Sequence, residues 1–458
     1  MFRAGSRNGL WMASLLPLAM LNDPVILVAL STTIYSIFYA LDPNNSETDH
    51  DAINKPITKN KFNSMVAILS TMIALLSFSS FVSMLACFTT FLAFVFALPK
   101  IFSTFHASFS YGEGVLVLQG IVVFMAKLLI NITQDVHDPS TIAGSFNIIA
   151  NVGLGSIGGL CLLHFFPLKV CQHPSTFYLS GFSILFGVTL PVLFSTLKRN
   201  PIGNFPLLYL SFNSSLKLSF LILLAWTLQT IFASNESKLL LLLWGVCTLL
   251  ALHIVAQQDS GATTTITRKY FHFLVVVVFT SGVMVNRSLL YLASIVGLSV
   301  MILLEHMRYA KIQPVANIIS AAFKTFQDKN DRGDLILTNI YLLVGVSLPL
   351  WLTPDLEKAD PLLLLSGVLS IGIGDSFASI FGSKFGRTII PQTQKSVEGM
   401  MASILAQLVF VKALNMELNL VLVAGICAVS IVETLTTQVD NLVLPFVMYI
   451  VLKLAPRL

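Results

Sequence analysis

The sequence predicts an all-α, polytopic integral membrane protein with about 15 transmembrane helices, at roughly 20 residues per crossing. Two observations carry that expectation. Of 458 residues, 55% are hydrophobic and only 11% are charged, and the mean hydropathy is +0.83. That is more apolar surface than a water-soluble fold can bury. Apolar runs also follow one another with few gaps, and the longest polar stretches are Asp42–Asn63 and Lys311–Asp334. No soluble domain fits between them.

Taken in order, the apolar runs place spans at 22–41, 64–81, 82–98, 113–133, 141–166, 175–196, 214–233, 237–257, 269–286, 288–310, 337–352, 360–381, 396–414, 419–435 and 440–455. Ahead of the first, Arg3 and Arg7 precede a short apolar run in the manner of a signal peptide. Apolar sequence resumes through Val25–Leu41 without a cleavage-like stretch, so a retained first membrane element is expected. The five cysteines, Cys87, Cys161, Cys171, Cys247 and Cys427, form no C-x-x-C pair, and four lie in apolar runs. They read as small buried hydrophobes, not as disulfides or zinc ligands. The net charge of +5 comes from basic residues scattered over short loops, with no basic stripe for nucleic acid. N-x-S/T tripeptides begin at Asn44, Asn131, Asn213, Asn235 and Asn286.

The halves differ in character. Residues 1–257 carry few ionisable groups within their spans and read as a multi-helix membrane scaffold. Residues 258–458 carry His272, Glu305, Asp375, Glu398, Glu433 and Asp440 in or beside spans, which marks them as the working half. Counting spans forward puts the loops 258–268, 311–336, 383–395 and 436–440 on one face. With its flanks, that face holds Arg268, Lys269, Arg308, Lys311, Lys324, Lys329, Arg332, Lys384, Arg387 and Lys395. The opposite face holds only Arg287, Lys358, Lys412, Lys453 and Arg457. The richer face is therefore expected in the cytosol, and the sequence DRGD at Asp331–Asp334 is expected there as a solvated turn.

The strongest chemical signal runs from Ile371 to Met401. Asp375 interrupts an apolar run, at an insertion cost of about 2.5–3.5 kcal/mol, and a carboxylate so placed usually faces a partner or a cavity. On a helix, Asp375, Ser379 and Gly382 share one face, extended by Ala378 and Gly386. A loop with Lys384, Arg387 and Lys395 follows. Ser396 then reads as the N-cap of a new helix with Glu398 in its first turn. Free N–H groups and a lysine at a helix start make an anion site, and an acid beside it suggests a metal-bound phosphate. Asp375 is thus a metal ligand or a base for a hydroxyl group. Arg268, Lys269 and His272 (TRKYFHF) read either as interface anchors or as a phosphate-facing trio. Asp440 and Asn441 open the last span, with Glu433 just before the turn. They read as a helix cap or as a second metal-site acid.

These residues resemble the CTP-dependent polyprenol kinase family, and within it the eukaryotic dolichol kinases. Asp375 through Gly386 is similar to the family's D-x-x-A-x-x-x-G-x-x-x-G helix, and Lys395-Ser396-Val397-Glu398-Gly399 to its K-K-[ST]-x-E-G motif. The segments at 268–272 and 439–445 also look like family features. Gln394 stands where the first lysine of the pair is expected, which leaves Arg387 or Lys384 to supply that charge.

The resemblance covers roughly 258–458. It implies an endoplasmic reticulum enzyme that transfers the γ-phosphate of CTP to dolichol with a divalent metal such as Mg²⁺, for protein glycosylation. It also implies that Asp375, Glu398 and Lys395 are catalytic, that Asp375 and Asp440 hold metal, and that His272 and Asn441 belong to the site. Lys384, Arg387, Lys395, Ser396, Glu398, Gly399, Gly382, Gly386, Arg268 and Lys269 would bind CTP. Other lipid-alcohol kinases and CDP-lipid-forming cytidylyltransferases share this chemistry, although the long K-D-x-x-P-G-H-G-G signature of phosphatidate cytidylyltransferases is missing. A secondary transporter would also suit many helices with midplane acids.

Overall fold

The computed structural model describes residues 6–20, 25–41, 81–105, 108–134, 234–257, 265–309 and 311–454, the last without 312, 325–326, 328–330, 332, 354, 392, 394 and 437. Among the described residues every element is helical, apart from one isolated bridge between Ile389 and Ser396. Among the described residues, four helices are long and apolar enough to cross a membrane: Cys87–Thr104, Asn235–Ala256, Arg268–Val285 and Arg287–Tyr309. The expected spans at 141–166, 175–196 and 214–233, and all but the last residue of 64–81, lie outside the described residues, as do Cys161 and Cys171.

The chain forms two compact units, Met1–Ser195 with Arg332–Leu335, and Thr196–Asp331 with Ile336–Leu458. In the first unit a 3-10 segment, Ser6–Ser14, leads into α1 (Leu15–Ala19), followed by α2 (Ile26–Leu41), α3 (Phe81–Thr104) and α4 (Tyr111–Gln134). Some of its buried polar groups cross-link its elements. Tyr111 Oη donates to Ser36 O at 2.6 Å, and Gln119 Nε2 donates to Thr33 Oγ1 at 2.9 Å. The buried Glu113 closes a capping box with Ser110.

The second unit holds α5 (Asn235–Ala256), α6 (Thr265–Val285), α7 (Arg287–Tyr309), α8 (Val315–Lys324), α9 (Thr338–Leu352), α10 (Pro361–Leu364), a π-helical stretch Val368–Asp375, α11 (Ser376–Phe385), α12 (Val397–Ala413), α13 (Leu420–Leu435) and α14 (Asp440–Leu454). These boundaries fall within a few residues of the expected spans, with three differences. The run at 360–381 is not one regular helix. It widens into π turns, and Ser376 Oγ reaches back five residues to Ile371 O. An all-apolar run has no period to betray that change. The long polar gap contains α8, a short amphipathic helix. And Asp331 is not a solvated turn residue: it is 9% exposed, and its carboxylate caps α9 by accepting from Leu337 N at 3.1 Å and Thr338 Oγ1 at 2.5 Å.

Close backbone approach fixes the core of this unit. A Cβ on Gly345 of α9 would lie 2.1 Å from Asn441 O, and one on Gly367 would lie 2.5 Å from Gly345 O. Pro445, with no N–H, leaves the Asn441 carbonyl outside the helical ladder. It packs on the bare Cα of Gly345. Thus α9, the π stretch and α14 meet at their backbones and bring Asp375 and Asp440 to one end of the bundle.

Candidate active site

Five elements converge on a cavity of about 360 Å³: α6, α9, the π–α11 run, the start of α12 and the α13–α14 turn. The π stretch ends on Asp375, which is 5% exposed. Lys269 of α6 donates to its Oδ2, and Ser379 Oγ, one turn along α11, donates to Oδ1 at 3.3 Å. His272 Nδ1 lies 3.1 Å from Arg268 O. A carbonyl only accepts, so this assigns the ring proton to Nδ1 and leaves Nε2 as a bare acceptor. That Nε2 is buried without a hydrogen-bond partner, 3.8 Å from Asp375 Oδ2.

The loop after α11 turns back on itself, with Ile390 N donating to Lys395 O at 2.9 Å and Val397 N to Thr388 O at 3.0 Å. This hairpin delivers Lys395 into the cavity. Its Nζ donates to Glu433 Oε1 at 2.7 Å, to Glu433 O at 2.5 Å and to Asp440 Oδ2 at 2.9 Å. Burial alone would lower the Lys395 pKa, but the carboxylates of Asp440 and Glu433 outweigh it and hold the ammonium above its ordinary value. Ser396 is the expected N-cap of α12, its Oγ accepting from Gly399 N at 3.2 Å.

Carboxylate oxygens of Asp375, Glu433 and Asp440 lie within 4.8 Å of one another, and Asp440 Oδ1 is buried with no partner. Oxygens around Mg²⁺ at about 2.1 Å span up to roughly 4.2 Å, and those around a larger cation somewhat more. A hard, all-oxygen donor set of this size, with an orphaned acceptor, fits a divalent cation after a closure of about half an ångström.

Of the residues singled out from sequence, Arg268, Lys269, His272, Asp375, Gly382, Lys395, Ser396, Gly399, Asp440 and Asn441 all line the cavity. Four others do not. Lys384 and Arg387 are exposed on the end of α11 and the loop beyond. Glu398 turns to the hairpin and accepts from Thr388 N at 3.1 Å and Thr388 Oγ1 at 3.0 Å. Gly386 serves packing, since a Cβ there would lie 2.7 Å from Ser396 Oγ. Gly399 combines the two roles, with its own Cβ position 2.8 Å from Ala378 O where α11 crosses α12.

Sequence reasoning weighed Glu433 with Asp440 and Asn441, as capping residues of a turn or as a second metal-site acid, and the structure places it in the acid cluster. Thr338 and Asn339 also line the cavity, and their position at the start of a span was the one local signal. Behind Asp375, Gln407 Nε2 donates to Ser403 Oγ at 3.0 Å and Ser430 Oγ at 3.1 Å. Nothing in the local pattern pointed to that network.

A sequence model described as dolichol kinase matches residues 53–348. It takes in Arg268–His272 and ends before Asp375. Among curated proteins, the dolichol kinase of Mus musculus is 35% identical over 375 residues, covering 75% of this chain and 65% of that protein. The dolichol kinase of Homo sapiens is 34% identical over 377 residues, with the same shares. That of Saccharomyces cerevisiae is 28% identical over 300 residues, covering 63% of this chain and 52% of that protein. The chain thus spans 65% of the length of the mammalian relatives it matches. No solved structure matches.

Proposed function

We propose, because this chain belongs to the dolichol kinase family, that it transfers the γ-phosphate of CTP to the hydroxyl of dolichol, giving dolichyl phosphate and CDP. The observation that carries the reading is one cavity in which Lys395 and the capped start of α12 stand against three carboxylates. In the transfer, the dolichol oxygen bonds to the γ-phosphorus and the bond from that phosphorus to the β–γ bridging oxygen breaks. The hydroxyl proton passes to a carboxylate. Lys395 and Arg268 bind phosphate oxygens, with free N–H groups at the start of α12 adding to the anion site. Glu433 and Asp440 would hold the divalent cation, with Asp375 within reach of the same place. When bound, it neutralises charge on the phosphates. Asp375 is either its ligand or the proton acceptor. The cavity is lined by side chains that position these groups, which is most of what phosphoryl transfer asks of a protein.

In this proposal the chain is a multi-pass protein of the endoplasmic reticulum membrane with about fifteen spans. The cavity opens to the cytosol, where CTP is found, and the dolichyl phosphate serves glycosylation. Residues 1–257 act as scaffold and 258–458 as the catalytic domain.

The test supplies γ-labelled CTP or ATP, Mg²⁺ and dolichol to the detergent-purified chain and follows label into the lipid phase. Label from CTP, lost in Asp375→Ala protein that still inserts and folds, is the expected result. Label that persists in Asp375→Ala removes that residue from the chemistry. Pyrophosphate in place of CDP as product would make the enzyme a cytidylyltransferase.

A further inference from the structure

We infer that Lys269 and Lys395 hold the place of the divalent cation until a nucleotide arrives, so that metal and triphosphate enter only together. The inference rests on the metal site proposed above. It goes beyond that site by assigning the two lysines a second position, on the carboxylates before the nucleotide binds and on phosphate after.

The argument starts from how the three carboxylates are neutralised. Asp375 is held by Lys269 alone among the ammonium groups, and Glu433 and Asp440 share Lys395 at 2.7 and 2.9 Å. Lys395 Nζ therefore sits in the wedge between two carboxylates that a cation would occupy. Arg268 also lines the cavity, so three acidic groups meet three basic ones. A divalent cation arriving alone must push the half-buried Lys395 ammonium or the buried Lys269 ammonium off its carboxylate and leave it without an anion, which is unfavourable. A triphosphate arriving alone brings its negative charge beside three carboxylates. Together they bring offsetting charge, and the phosphate oxygens give the displaced ammoniums new partners.

A second observation points into the same space. His272 is 6% exposed, and its Nε2 has no hydrogen-bond partner, close to Asp375. Asp440 Oδ1 is likewise buried without one. Polar atoms enclosed in this way are normally satisfied. Here the ammoniums satisfy only part of the acceptor set, as stand-ins for a ligand that satisfies more of it. The lysines are also suited to the exchange. Each is a point charge on a flexible four-carbon stem, able to swing from carboxylate to phosphate without disturbing a helix.

The experiment titrates Mn²⁺ alone into the full chain in detergent, with free ion read by electron paramagnetic resonance. Lys395→Met and Lys269→Met remove one ammonium each while keeping most of the side-chain volume. Both variants are expected to bind Mn²⁺ about tenfold or more tightly than the wild type without nucleotide. Mn²⁺ should also raise their thermal unfolding midpoints more than it raises the wild type's. A role for the lysines in phosphate contact alone would not produce that gain. In the wild type, protein-retained Mn²⁺ at fixed free Mn²⁺ should rise by a similar factor when CTP is added.

Unchanged or weaker Mn²⁺ binding in the variants overturns the inference. So does wild-type protein that retains Mn²⁺ equally well with and without CTP, a result that needs no variant to fold. Label transfer from CTP to dolichol, assayed on the same preparation, separates the two readings. Transfer with unchanged Mn²⁺ affinities leaves the kinase and removes the exchange. Tighter Mn²⁺ binding without transfer leaves the exchange and removes the kinase.

Discussion

Two groups of buried or half-buried acids lie in the same unit and are handled in opposite ways. Glu305 and Asp331 have every carboxylate oxygen committed to neighbours close in the fold. Glu305 takes both prongs of Arg308, at 2.6 and 2.7 Å, and the backbone N–H of Ile336 at 2.7 Å. Asp331 takes a backbone N–H and a threonine hydroxyl at the start of α9. Asp375, Glu433 and Asp440 instead face one another and depend on lysines from other elements, with Asp440 Oδ1 left over. Backbone donors and a bidentate arginine are rigid partners that fix a structure. Lysines can leave. The contrast marks the first pair as structural and the second group as a site, without reference to any family.

The comparison is broken most sharply by neutralising one acid from each group. Glu433→Gln is expected to cut label transfer roughly a hundredfold or more, with little loss of thermal stability, because the amide oxygen still meets Lys395. Glu305→Gln is expected to do the reverse. It turns a buried charged acceptor against Arg308, costing about 2–3 kcal/mol of stability, while transfer per folded molecule stays at the wild-type level. If both substitutions lowered stability alike and spared transfer alike, the distinction between the two groups would be lost. Thermal unfolding in detergent beside the labelling assay reads both effects.

Gly345→Ala probes what holds the second group together. Its Cβ would meet the Asn441 backbone carbonyl at 2.1 Å, with the Ile371 and Pro445 side chains at 2.7 and 2.9 Å. Backbone cannot yield as a flexible side chain can, so a cost of about 1–3 kcal/mol follows. Because α14 would be pushed away at Asn441, beside Asp440, the KM for CTP should rise as well. Stability lost with an unchanged KM would show that the acid cluster tolerates movement of α14.

Much of this was legible in the sequence, and the limits have physical causes. Helix ends were readable because apolar runs, Ser396 and the Asp440 start are local signals, and the described helices begin and end close to where those signals fall. Asp375, Lys395 and Asp440 were legible as a group because each is an ionisable residue where hydrophobic ones are the rule. The pairing of Lys269 with Asp375 was not, since it joins residues 106 positions apart through packing that no local pattern encodes. Glu433 was visible as an acid in an apolar helix, but its partner Lys395 lies 38 positions away, on the hairpin. The reverse error befell Asp331, where a charge-rich tetrapeptide looks solvated until the start of α9 closes over it. Lys384 and Arg387 were drawn into the expected phosphate site by nearness in sequence to Lys395; the hairpin keeps their backbone near Ser396 and Val397, but both side chains are exposed and off the cavity wall.

Those two basic residues give the smallest effect and the most direct check on the geometry. Lys384 sits in the last turn of α11 and Arg387 just beyond it, both exposed and neither on the cavity wall. A surface charge in water contributes little to a site it does not touch, and salt screens it within about 8–10 Å. Lys384→Ala and Arg387→Ala should therefore leave the KM for CTP within about twofold of wild type at physiological ionic strength, against a large loss for Lys395→Ala. A drop for either that matched Lys395→Ala would mean that the hairpin rearranges on nucleotide binding and brings the loop's outer charges inward. The contrast between fixed and exchangeable partners would then extend from the lysines of the cavity to the whole segment that carries them.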